Sequence, residues 1–141
     1  MTATKKVFGK VNVKAAGVSF NGRQGKLCYL RKHEDDAYLT LRREKGNAAD
    51  PNAIAIIAHV KGGTTCKVGY VPAKTARWLA AYMDAKQIVR CCRVKDEMGN
   101  PMPYVTGHAK TWKTSLVGCQ FAIVYELPEK ALAKAYAVNR S

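Results

Sequence analysis

The sequence predicts a mainly β fold: a small, strongly curved β-barrel carrying one clear helix. Three observations lead there. Apolar residues recur mostly with a period of two, in short runs bounded by glycine, proline and asparagine. Only one stretch, at about 73–85, has unmistakable helical spacing. Helices do not alternate with strands, which excludes a parallel α/β sheet. The 141 residues are 48% hydrophobic, enough for one core, so a single domain over 1–141 is expected.

The elements follow in order. Val7, Val11 and Val13 alternate with Lys10, Asn12 and Lys14 as a half-buried strand. Gly17–Gly22 is a glycine-bracketed turn. Leu27–Arg31 and Tyr38–Arg42 read as two further strands, separated by the polar turn Lys32–Asp36. Arg43–Asn52 is too rich in turn formers to be anything but a loop. Ile54–Val60 and Cys66–Val71 flank Lys61-Gly-Gly-Thr64 as a hairpin. Pro72 then opens the helix, where its missing N–H does no harm. Ala76, Leu79, Ala80 and Met83 lay one apolar stripe along it. Ile88–Val94 and Gly118–Tyr125 are strands, Met98–Pro103 reads as a mobile loop, and Glu129–Val138 has the composition of a second helix.

Charge narrows the function. Lysine and arginine number 24 against 10 acids, a net +14, which attracts polyanions and makes nucleic acid the expected partner. No stretch pairs a basic face with a large apolar one, so a membrane surface is not expected. The longest apolar runs, Ala53–Ala58 and Phe121–Tyr125, fall far below the roughly 18–20 residues that cross a bilayer. No apolar segment follows the N-terminal lysines, so no secretory signal is expected and the cytoplasm is the expected compartment. Cys28, Cys66, Cys91, Cys92 and Cys119 form no paired spacing, in keeping with buried thiols in a reducing compartment and with no zinc and no other cofactor.

Acids are unevenly spread. Between Lys45 and Met83 the sole acid is Asp50, and none occurs from Met98 to Tyr125, where Lys110 and Lys113 flank Trp112. Cations interleaved with aromatics suit single-stranded nucleic acid, the cations following phosphates and the rings stacking bases. Phe20, Tyr70, Trp78 and Trp112 are the candidate stacking rings, with core packing the alternative for each and the favoured one for Trp78. Asp50 is out of place on such a surface. Asp50-Pro-Asn52 invites an Asx-turn, and an ionised carboxylate there can also accept a hydrogen bond from a hydroxyl or amine.

Gly17-Val-Ser-Phe-Asn-Gly-Arg-Gln24, Leu39-Thr-Leu-Arg-Arg43, Asn47-Ala-Ala-Asp-Pro-Asn-Ala-Ile54 and Val68-Gly-Tyr-Val-Pro72 occur in order with suitable gaps. Together they resemble the HIRAN domain, known from the N-termini of helicase-like fork-remodelling ATPases and as free-standing bacterial and phage proteins. The resemblance is strongest over 10–95, with 96–141 expected to complete the barrel and add the C-terminal helix. It implies an OB- or SH3-like barrel that grips the 3′ end of single-stranded DNA. The terminal hydroxyl would meet Asp50, with Asn47 in the same loop, Phe20 stacking the terminal base and Lys74 meeting phosphate. The chain departs from the DNA-end-binding pattern at two places. Ala49 stands where an aromatic precedes the aspartate, and Ser19 where a cation precedes the stacking ring. Arg23, Lys26, Arg42 and Arg43 are available to replace the cation.

Other functions compete with this one. Gly62-Gly-Thr-Thr65 lacks the GK[ST] of a phosphate loop, so no ATPase is expected. His33, Glu34, Asp35 and Asp36 offer oxygen ligands for a metal-dependent nuclease, but two-metal sites draw carboxylates from separate elements, and a solvated turn is the simpler reading. The expectation is a non-catalytic module that binds single-stranded DNA, with a DNA-processing enzyme acting in trans as a further partner. The alternatives are an RNA or general single-strand binder and a protein-interaction module.

Overall fold

The computed structural model describes residues 7–19, 21–60, 62–107 and 117–127. The anticipated helix at 129–138, and Phe20, Lys110, Trp112 and Lys113, lie outside them. Among the described residues the order is β1 (Val7–Lys14), α1 (Arg23–Lys32), a 3₁₀ turn (Glu34–Asp36), β2 (Tyr38–Arg43), β3 (Ile54–Val60), β4 (Thr64–Tyr70), α2 (Ala73–Asp84), β5 (Val89–Cys92), β6 (Val105–Thr106) and β7 (Gly118–Leu127). No helix among them is long and apolar enough to cross a membrane.

The strands form two antiparallel sheets. One runs β1-β7-β5, with β6 paired to the start of β7, and the other runs β2-β3-β4. A bridge joins them: Ala16 and Tyr70 exchange backbone hydrogen bonds of 2.8 and 2.9 Å. On the far side β2 lies against β5. Two open sheets thus curve around one core in a small, mainly β, OB-like arrangement. The bridge requires a glycine. A Cβ on Gly69 would stand 2.8 Å from the Ala16 carbonyl oxygen, so only a bare backbone lets the sheets approach there.

Phe121, Ile123, Leu27, Leu30, Ile54, Ile56, Val68 and Leu79 are fully buried together. β3 is the middle strand of its sheet and is buried along nearly its whole length, which accounts for its unbroken apolar run. α2 buries Ala76, Leu79 and Ala80, as its stripe predicts. Trp78 packs edge-on against Tyr125 with ring centroids 4.9 Å apart, in keeping with the packing role favoured for it.

One expectation is corrected. Leu27–Arg31 is not a strand but the second half of α1. Arg23, Leu27 and Leu30 are its buried residues, at helical spacing, and Gln24 ties the helix to the start of β7 through Val117 N–H and C=O at 2.9 Å each. Burial of that face overrides a run of only five residues that fits either period. Met98–Pro103 is a loop, as read, and carries a turn of its own. Asp96 Oδ1 accepts the N–H groups of Met98 and Asn100 at 2.9 Å, and Lys95 bridges Pro101.

Candidate nucleic-acid interface

The loop after β2 begins with an acid wedged among cations. Glu44 accepts hydrogen bonds from Lys67 Nζ at 2.6 Å, the Tyr70 hydroxyl at 2.8 Å and Asn47 Nδ2 at 3.3 Å. Arg42, more than half exposed, lies 3.7 Å from it. The Lys67 ammonium, followed by the Tyr70 and Asn47 donors, draws the Glu44 carboxyl down from 4.5 to about 2 against the opposing effect of burial. Because the folded value lies below the unfolded one, the stabilisation is complete above about pH 4.5 and is lost as pH falls toward 2. Thermal melts across that window are expected to fall less steeply for Glu44→Gln than for the wild-type protein; parallel curves would remove Glu44 from the account.

Asn47 and Asp50 shape the loop itself. Asn47 Oδ1 accepts the N–H groups of Ala49 and Asp50 at 2.9 and 3.1 Å, and Asp50 Oδ1 accepts Asn52 N–H at 2.9 Å. The Asx-turn read from Asp-Pro-Asn is therefore present. Among the described residues no donor reaches the second Asp50 oxygen, Oδ2. Arg43 clamps the loop from behind: Nη1 and Nη2 donate to the Ala53 and Pro51 carbonyls at 2.9 and 3.1 Å, while Nε and Nη2 hold Asp84 at 2.9 and 3.2 Å.

These contacts open a cavity of about 210 Å³ lined by Ala16, Asn47, Ala49, Asp50, Tyr70 and Ala73, with Ala53 and Val71 at its base. Ala73 begins α2, and the first amides to bond back within this helix belong to Thr75 and Ala76, both to Pro72 O. The Ala73 and Lys74 N–H groups therefore point outward without a helical acceptor, at the positive end of the helix dipole. α2 has neither an acid in its first turn nor a side-chain cap. Lys74 is exposed beside it. The cavity thus sets a carboxylate and the first residue of α2 on its lining, a combination able to accept a hydrogen bond from a hydroxyl and to donate to an adjoining anion from the helix N-terminus.

The sequence candidates divide accordingly. Asn47, Asp50 and Tyr70 line the cavity, and Lys74, exposed, follows the lining residue Ala73 in α2. Arg42 is exposed on the neighbouring strand. Arg23 is buried behind Tyr70, donating to Gly17 O at 2.7 Å with its guanidinium 5.1 Å from the Tyr70 ring centre. Arg43 has its donors engaged within the chain. Phe20 lies outside the described residues. Sequence reading passed over Glu44 and Lys67. Only the β3–β4 register, with its shift between Ile56 and Ile57, sets Lys67 and Tyr70 beside the end of β2.

The candidate metal cluster dissolves in the structure. Glu34 accepts hydrogen bonds from Tyr104 N–H at 2.5 Å and Arg93 Nη1 at 3.4 Å, so it anchors the segment before β6. Among the described residues no three His, Cys, Asp or Glu side chains converge as a metal-ligand set. Burial pushes the Cys91 and Cys119 thiols up to about 12, which keeps them protonated at neutral pH.

No curated protein matches the sequence significantly. Two solved structures share the fold. A protein from Lactobacillus plantarum aligns with a TM-score of 0.53 at 19% identity, covering 88% of this chain and all of that one. The HIRAN domain of human HLTF aligns with a TM-score of 0.51 at 17% identity, covering 89% of this chain and 83% of that one. The sequence profile of the HIRAN domain matches residues 8–110. The chain belongs to the HIRAN domain family, which is known as a DNA-binding module.

Proposed function

We propose that this chain is a non-catalytic module that binds single-stranded DNA and holds its 3′-hydroxyl end in the cavity between Asp50 and α2. The observation that carries the reading is that Asp50, one of whose carboxylate oxygens meets no donor among the described residues, lines the same cavity as Ala73, the first residue of α2. A carboxylate on a +14 protein repels phosphate, so its place on a DNA-binding face makes sense where the ligand presents a donor. A terminal 3′ hydroxyl is such a donor, and the preceding phosphate would lie toward the α2 amides and Lys74. The net charge supplies attraction to the rest of the strand through counterion release. A cytoplasmic setting fits the free cysteines, and an enzyme acting on the same DNA end fits as a partner in trans.

Fluorescence anisotropy with a short single strand ending in a 3′ hydroxyl or a 3′ phosphate tests this. The hydroxyl end is expected to bind roughly 10- to 150-fold tighter, since a hydrogen bond to a charged group contributes about 1.5–3 kcal/mol. Asp50→Ala is expected to erase that preference while leaving the salt dependence of binding in place. Equal affinity for both ends in the wild-type protein would instead make this a general single-strand binder.

A further inference from the structure

A second ring platform lies on the same sheet face, away from the cavity. Strand alternation and register place Tyr38, Thr40 and Arg42 of β2 beside His59, Ile57 and Ala55 of β3, and these beside Thr65, Lys67 and Tyr70 of β4. Tyr70 lines the Asp50 cavity, so this face begins at the cavity rim and runs to Tyr38. Along it stand the exposed cation Arg42 and Lys67, which is paired with Glu44.

Tyr38 ends the row in an unusual condition. It is 57% exposed, on an edge strand, yet its ring is stacked. The His59 imidazole stacks on it with centroids 4.5 Å apart and planes 2° from parallel. His59 Nε2 in turn lies 2.7 Å from Thr40 Oγ1. These contacts back one face of an exposed ring, so a base stacking on it meets a ring already braced. From the Arg42 row to the Tyr38 row is about 13 Å at ~3.3 Å per strand residue, a span of about four nucleotides at ~3.4 Å per stacked step.

We propose that Tyr38, backed by His59 and Thr40, is a second base-stacking station that takes a nucleobase a few positions upstream of the strand end held at Asp50. This rests on the reading that single-stranded DNA binds across this face. It makes the footprint longer than the cavity alone and gives a specific function to a ring pair that would otherwise only brace the sheet.

The test compares wild type, Tyr38→Ala and Tyr38→Phe on a trinucleotide and on a strand of about eight residues, an OB-type site size. Thermal melts confirm that each variant is folded. Tyr38→Ala is expected to bind the longer strand roughly 5- to 10-fold more weakly, to bind the trinucleotide like wild type, and to be restored by Tyr38→Phe. A photoreactive 5-iododeoxyuridine moved along the strand is expected to cross-link Tyr38 from an upstream position and not from the 3′ terminus. Equal loss on both lengths, or no loss on either, overturns the station. If the two kinds of 3′ end bind alike while Tyr38→Ala still weakens only the longer strand, the Asp50 reading fails and the station stands. If neither length binds, both fall.

Discussion

An Ala49→Tyr variant is expected to bind single-stranded DNA roughly 5- to 100-fold more tightly than the wild-type protein, because one base–aromatic stack contributes about 1–3 kcal/mol. Ala49 is exposed, lines the cavity directly before Asp50, and carries only a methyl group where the DNA-end-binding pattern places a ring. Its backbone N–H is held by Asn47 Oδ1 at 2.9 Å, so a larger side chain extends from a loop already pinned at that point. The gain should be the same in high and low salt, because stacking releases no counterions. It should also be lost on a strand whose terminal nucleotide lacks a base. Anisotropy titrations at two salt concentrations, with intact and abasic 3′ termini, measure both. A gain that survives removal of the base would show a generally stickier surface.

Phe121→Ala is expected to lower the unfolding free energy by about 3–5 kcal/mol, the usual cost of truncating a buried aromatic. Phe121 is fully buried and lies opposite Val13 on β7, the strand that pairs with β1, β5 and β6. Its ring therefore fills the space where the first sheet meets the core, and the strands around it are held from several sides and cannot collapse into the void. Domains of this size have a total stability of roughly 5–15 kcal/mol, so the variant loses a large share and its midpoint in chemical denaturation should fall accordingly. Phe121→Leu, which keeps most of the volume, should recover much of the loss. A loss below about 1 kcal/mol for Phe121→Ala would mean that the surrounding strands relax into the cavity.

Much of this protein is legible from residue order. The alternation of Val11 and Val13 with Asn12 and Lys14, the unbroken run Ile54–Val60 and the stripe Ala76–Leu79–Ala80 each specify an element, because local periodicity records which face is buried. The loop Asn47-Ala-Ala-Asp-Pro-Asn52 is legible as well, since its turn is made by side chains two and three residues from the amides they hold. Leu27–Arg31 escaped that logic: five residues fit either period, and its helical form is decided by the core that Leu27 and Leu30 enter.

The partners of the cations were decided at longer range. Arg23, Arg42 and Arg43 read alike in sequence, as positive charges near a loop. Folding buries Arg23 behind Tyr70, turns Arg43 onto Asp84 and the Ala53 and Pro51 carbonyls, and leaves Arg42 exposed. Glu44, Lys67 and Tyr70 come together only through the irregular β3–β4 register, and Tyr38 meets His59 only because β2 pairs with β3. Residue order determines which segments are strands, helices and turns, since those depend on neighbours in the chain. Only the tertiary structure decides which charges remain available to a ligand, since hydrogen-bond geometry and desolvation act between groups that the chain separates by many residues.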